Sequence, residues 1–148
     1  YYYVKNKEQI IADVLKTVLE QIDARAEALT DVNASALGQL KARARAHVEA
    51  GNTTAGKFIV MNLDYLRQDK QTAQMMRQQE EPARRLLKQA IDADEIRQID
   101  IISAVKMLYG ALNNIYYWYK PEYGTLDDVL ENTWDIFVGG LRKPSNHP

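Results

Sequence analysis

Apolar positions recur along most of this chain with the three-to-four-residue period of an α-helix, and no run of strict alternation persists. Ile10, Ile11, Val14, Leu15, Val18, Leu19, Ile22 and Leu29 form one stripe, predicting a first helix that Asn6 caps, with Gln9 reaching back, and that ends near Leu29. A second helix is expected from about Asn33 to Ala50, with Leu37, Leu40, Ala44 and Val48 inward and Gly51-Asn52 as its stop. Between about Thr54 and Leu66 the apolar residues Phe58, Ile59, Val60, Met61, Leu63, Tyr65 and Leu66 fall on nearly every side, so a third helix should be buried all round. A fourth, about Lys70 to Ala93, turns Met75, Met76, Ala83, Leu86, Leu87, Ala90 and Ile91 inward, and Pro82 predicts a kink or break near Gln79. Asp100 caps a fifth helix ending near Tyr119, Pro121 and Gly124 make a turn, and Thr125 with Asp128 caps a sixth that runs to about Gly140. The pattern as a whole is that of an all-α bundle of about six helices.

The fifth helix carries apolar side chains over an arc of roughly 220° when projected at about 100° per residue, more than one packing partner covers. Met107, Ala111, Trp118 and Ala104 lie at one edge, Leu108, Leu112 and Tyr119 in the middle, and Val105, Tyr116, Tyr109 and Ile102 at the other. The sixth is similar, with Leu126, Leu130, Trp134, Phe137, Val138 and Leu141 on one side and Val129, Thr133, Ile136 and Gly140 beside them. Two such helices predict a homodimer in which the pair meets its symmetry mate as a four-helix bundle. The interface expected from this pattern contains Leu108, Leu112, Tyr116, Leu130, Trp134 and Phe137. The competing expectation is a wholly intramolecular core.

A length of 148 residues fits one compact domain. The net charge of −1 gives no electrostatic reason to expect polyanion binding. With no cysteine there is neither a disulfide framework nor a thiolate metal site, which suits a reducing, cytoplasmic compartment. The apolar runs fall far short of a membrane span, and no signal-peptide pattern is visible. Enzymatic readings find little support: there is no Glu-x-x-His pair for a di-iron bundle, no Gly-x-Ser-x-Gly elbow and no phosphate loop, and Glu80-Glu81 reads as a solvated face. No catalytic residue, metal ligand or cofactor is assigned.

Near its start the chain reads Tyr1-Tyr2-Tyr3-Val4-Lys5-Asn6-Lys7-Glu8, and its second half contains Ile96-Arg97-Gln98-Ile99-Asp100, Gly110-Ala111-Leu112-Asn113, Trp118-Tyr119-Lys120-Pro121, Gly124-Thr125-Leu126 and Asp135-Ile136-Phe137-Val138-Gly139-Gly140-Leu141. Both sets resemble the TetR family of transcriptional regulators. The first is similar to the exit of that family's DNA-recognition helix, with Val4 where Phe is usual; the second is similar to the C-terminal dimerising helices, with residues 96–100 as the connection into them. The resemblance implies a fold of the TetR C-terminal regulatory type. Residues 1–6 would be a remnant of a helix-turn-helix head, 7–143 a ligand-binding and dimerisation domain, and 144–148 a disordered tail. It implies that Tyr1, Tyr3 and Lys7 approach DNA phosphates, that operator DNA is bound only by a protein with its head intact, and that the first helix links head to body.

The resemblance also implies a small lipophilic effector, with an acyl-CoA or a fatty acid as the candidate class, whose binding alters operator affinity and so the action of a repressor. Pocket candidates on adjacent inward faces are Met61, Tyr65, Met75, Met76, Met107, Asn114 and Trp118, since adaptable thioethers and large aromatics suit an apolar cavity. Tyr117 and Asn113, on the polar strip of the fifth helix, rank below them. His47, with Arg43 and Arg45 nearby, would meet an acidic group; an ordinary core and a solvated basic face are the competing readings. The alternative function is a homodimeric helical scaffold or adaptor that binds no ligand.

Overall fold

Along the second half of the second helix every other residue is buried: Leu40, Ala42, Ala44, Ala46, Val48 and Ala50. Successive members of that series stand about 200° apart on a helix, so they face opposite sides, and neighbours must cover both. This is the middle helix of the bundle, and its four alanines let those neighbours approach closely. In the computed structural model, which describes the backbone of residues 2–144 and the side chains of residues 7–144, the helices are α1 (Tyr2–Leu29), α2 (Ala36–Gly51), α3 (Thr54–Met61), α4 (Leu63–Gln68), α5 (Lys70–Asp92), α6 (Ile101–Trp118) and α7 (Leu126–Leu141), with a 3-10 turn at Pro121–Tyr123. Helix α2 packs against α1, α3, α5, α6 and α7.

Two apolar cores meet on α2. One joins Leu40, Ala44 and Val48 to Ala83, Leu86, Leu87 and Ala90 of α5, Val105, Leu108, Leu112 and Ile115 of α6, and Val129, Leu130 and Leu141 of α7. The other joins Ala46 and Ala50 to Ile11, Leu15, Val18, Ile22 and Ala26 of α1, Ile59 of α3 and Leu66 of α4. Salt bridges clamp α2 to α7 from outside: Glu131 receives Lys41 at 2.7 Å and Arg45 at 2.9 Å, and Arg45 also pairs with Asp127.

The helix ends follow local chemistry. Ser35 caps α2 by accepting from the Gly38 amide, Asp100 caps α6 through Ser103, and Thr125 and Asp128 form a reciprocal capping box on α7. Four expectations are corrected. Asn6 lies inside a helix already under way at Tyr2 and does not start it. Helix α2 begins at Ala36, three residues later than expected, where Ser35 caps it by accepting from the Gly38 amide. The segment from Thr54 divides at Asn62 into two short helices and is not buried all round, since Phe58, Met61 and Tyr65 are exposed. Helix α5 passes through Pro82 unbroken. Packing of Ala83, Leu86, Leu87 and Ala90 holds its second half, while Arg84 ties the turns around the proline to Glu80, Glu81 and the Arg77 carbonyl. The tail from residue 145 and the side chains of Tyr1 and Tyr3 lie outside the described residues. No helix among the described residues is long and apolar enough to cross a membrane.

Candidate ligand-binding cavity

Within the second core a cavity of about 280 Å³ remains, and the elements that wall it are α1, α2, α3, α4, α5 and α6. Its apolar lining is Leu15, Val18, Leu19 and Ile22 from α1, Ala50 from α2, Ile59 and Val60 from α3, Leu63 from α4 and Met76 from α5. The volume is at the small end of what small-molecule sites occupy. Gly56 sets one wall. A methyl group built on it would stand 1.8 Å from the Ala50 carbonyl oxygen, so only glycine lets α3 lie this close to the end of α2.

The polar part of the wall comes from α2, α5 and α6. His47 and Asn113 are joined at 2.7 Å between Nε2 and Oδ1, and the Tyr109 ring lies 5.1 Å from the imidazole. Burial holds the His47 pKa below its ordinary value; the Asn113 hydrogen bond opposes this and the charge of Arg43 adds to it. Burial likewise raises the Tyr109 hydroxyl. Arg43 itself is paired with Asp23 of α1 at 2.6 Å. His47 Nδ1 and Arg43 Nε are sealed from solvent, and among the described residues neither has a hydrogen-bond partner. At the edge, Lys106 bonds both oxygens of Glu80 at 2.9 and 3.0 Å. Two smaller hollows adjoin the cavity, and Val60 and Asn113 line all three.

Of the residues singled out in the sequence, His47 and Met76 line the cavity. Met61 and Asn114 line only an adjoining hollow, and Met75 sits in a separate groove between α1 and α5. Tyr65, Met107 and Trp118 are exposed and do not line the cavity; Trp118 leans on Tyr123 instead. Helix α6 turns Val105, Leu108, Leu112 and Ile115 into the core, which leaves Met107 and Trp118 at its outer edge. Arg45 is turned to the carboxylates of α7, so it cannot join His47. Lys7 is exposed. Among the expected interface residues, Leu108, Leu112 and Leu130 are buried in the protomer's own core and present no surface to a partner, while Tyr116, Trp134 and Phe137 are half-buried. Tyr109 and Lys106 belong to the wall without having been singled out, while Asn113, ranked below the other pocket candidates, and Glu80, expected on a solvated face, line it as well. The i, i+4 pair Tyr109 and Asn113, flanked by Lys106, was the available signal.

The described residues form an all-α bundle built around α2, with a cavity walled by six of its helices. A model of the tetracyclin repressor-like C-terminal domain matches residues 33–141, and the chain belongs to this TetR family of transcriptional regulators. Similar solved structures include the ketosteroid transcriptional regulator KstR2 of Mycobacterium tuberculosis, with 22% identity over 93% of this chain and 74% of that one and a TM-score of 0.75. SCO3833, a TetR-family member from Streptomyces coelicolor A3, is 23% identical over 93% of this chain and 72% of its own, with a TM-score of 0.73. AibR, solved in complex with isovaleryl coenzyme A and operator DNA, is 20% identical over 98% of this chain and 80% of its own, with a TM-score of 0.70. At these identities the likeness is one of fold. No curated protein sequence matches significantly.

Proposed function

We propose that this chain is the effector-sensing and dimerising body of a cytoplasmic TetR-type regulator, and that a small lipophilic ligand enters the cavity beside α1 to alter operator binding. The observation that carries this reading is the cavity itself, a space lined by apolar residues of the second core with a short polar wall. Helix α1 supplies four of its lining residues, so an occupant that spreads the walls displaces the helix leading towards the N-terminus. That is the differential contact between two states on which a coupling between sites depends.

The volume suits a compact apolar group. An acyl-CoA would place its acyl arm inside and its nucleotide beyond the edge, towards the exposed Arg67; AibR, with its isovaleryl coenzyme A, supports this class. A scaffold that binds nothing is not favoured, because a purely structural bundle has no need of an unfilled space. Thermal-shift titration with acyl-CoAs of increasing chain length and with the free acids tests the proposal. A ligand at a hundred times its Kd should raise the midpoint by about 5–10 °C in a chain of this size. Silence across the whole panel would count against ligand sensing.

A further inference from the structure

Two asparagines stand side by side on α6, and only one is satisfied by its own helix. Asn114 donates its Nδ2 amide to the Gly110 carbonyl at 2.7 Å, a local bond that leaves little for a ligand. Asn113 lines the cavity and gives its Oδ1 to the His47 ring. Among the described residues its Nδ2, which carries two donors, has no partner, and unlike His47 Nδ1 it is not sealed from solvent.

The orientation of the amide sets the tautomer. Asn113 Oδ1 lies 2.7 Å from His47 Nε2, and an amide oxygen only accepts, so Nε2 carries the ring proton and the sealed Nδ1 keeps a bare lone pair. Arg43, one turn earlier on α2, has only donors and is compatible with that lone pair. The Nδ2 donors are what Asn113 leaves for the cavity and for the two hollows it also lines.

The charges nearby exclude an anion from the same place. Arg43 is matched by Asp23, Arg45 by Asp127 and Glu131, and Lys106 by both oxygens of Glu80. Arg67, the remaining cation of the lining, lies on its exposed side with Asp64 at 3.9 Å. A carboxylate held beside Asn113 instead of at Arg67 would have no free cation to pair with, and an unpaired buried charge is strongly disfavoured.

We propose that Asn113 is the specificity residue of the cavity: its Nδ2 donates to an uncharged carbonyl oxygen, so the site selects neutral keto and acyl compounds over the corresponding carboxylates. His47 acts through it as a positioning residue. This inference rests on the cavity being the effector site, and it chooses a thioester over a free acid within the class proposed above.

Three probes of nearly one shape test it by calorimetric titration of the whole chain: acetophenone, isopropenylbenzene, which replaces the carbonyl oxygen by carbon, and benzoate. At neutral pH acetophenone should bind at least about tenfold more tightly than benzoate. Asn113→Leu should weaken acetophenone roughly five- to tenfold, as loss of one hydrogen bond does, and leave isopropenylbenzene unchanged; Asn114→Leu should change neither. His47→Gln, whose amide still donates to Asn113 Oδ1, should retain acetophenone affinity that His47→Leu loses. The unaltered chain gives a further readout, because its two histidines are His47 and His147 and nitrogen spectra of labelled imidazole separate the tautomers. An Nε2–H ring at His47 is expected. Benzoate binding as tightly as acetophenone, a ketone affinity indifferent to Asn113→Leu, or an Nδ1–H ring would each overturn the inference while the cavity remained a ligand site. Failure of all three probes, hydrocarbon included, would remove the site and this inference with it.

Discussion

His47 is a neutral imidazole in the fold because burial removes water from it, and Arg43 adds to the effect of burial. A folded-state pKa below the unfolded value of about 6.5 means that the unfolded chain binds more protons just below that pH. Stability from this group is therefore complete above pH 6.5 and is lost as the pH falls towards the folded-state value. Urea midpoints measured from pH 7.5 down to 5 should fall in the unaltered chain and fall less in His47→Gln. The lowered carboxylates Asp100, Asp128 and Glu131, each held down by hydrogen bonds to its cap or cation partner, act in a separate window below about pH 4. At this scale the sequence was legible where a residue acts on its immediate neighbours, as the caps Asp100 and Thr125 do. It was not legible for Asn113. Asn113 and Asn114 are the same residue type one position apart, and only the rotation of α6 puts one beside His47 and returns the other to its own backbone.

Between elements, two positions show local preference and packing in opposition. Pro82 lacks the amide that a helix interior requires, yet α5 continues through it. Proline costs a helix interior a hydrogen bond, so Pro82→Ala should raise stability by about 1–2 kcal/mol in urea unfolding, the helix penalty of proline offset in part by its stiffening of the unfolded chain. Gly56 is the converse case. A Cβ there would collide with the backbone of Ala50, which cannot step aside as a side chain would. Gly56→Ala should lower stability by roughly 2–3 kcal/mol and, by lifting α3 from α2, weaken every ligand of the cavity. Chemical denaturation with one probe titration checks both effects. The periodicity announced each long helix, because a stripe of apolar residues has the same period wherever its partner lies. The division at Asn62 and the exposure of Phe58 and Met61 escaped it, since a segment apolar on all sides does not reveal which side is covered.

For the whole molecule, the remaining apolar surface indicates how two copies would meet. Met107, Ala111 and Trp118 on α6 and Ile136 on α7 are exposed. We propose these exposed residues of α6 and α7 as the dimer face, in place of the buried Leu108, Leu112 and Leu130. Ile136→Glu combined with Met107→Glu should convert a dimer to a monomer in light scattering at micromolar concentration, with helix content unchanged because neither side chain supports the core. A wild-type monomer under those conditions would exclude the interface. Periodicity, capping and short-range motifs were enough for the helical class, most helix boundaries and the family. Which edge of α6 faces inward, the enclosure of α2 by five neighbours and the space left in the second core emerged only from the packing. Those depend on how helices rotate and approach one another, and that is set by residues such as Gly56 and the alanines of α2, whose effect lies in side-chain volume they do not have.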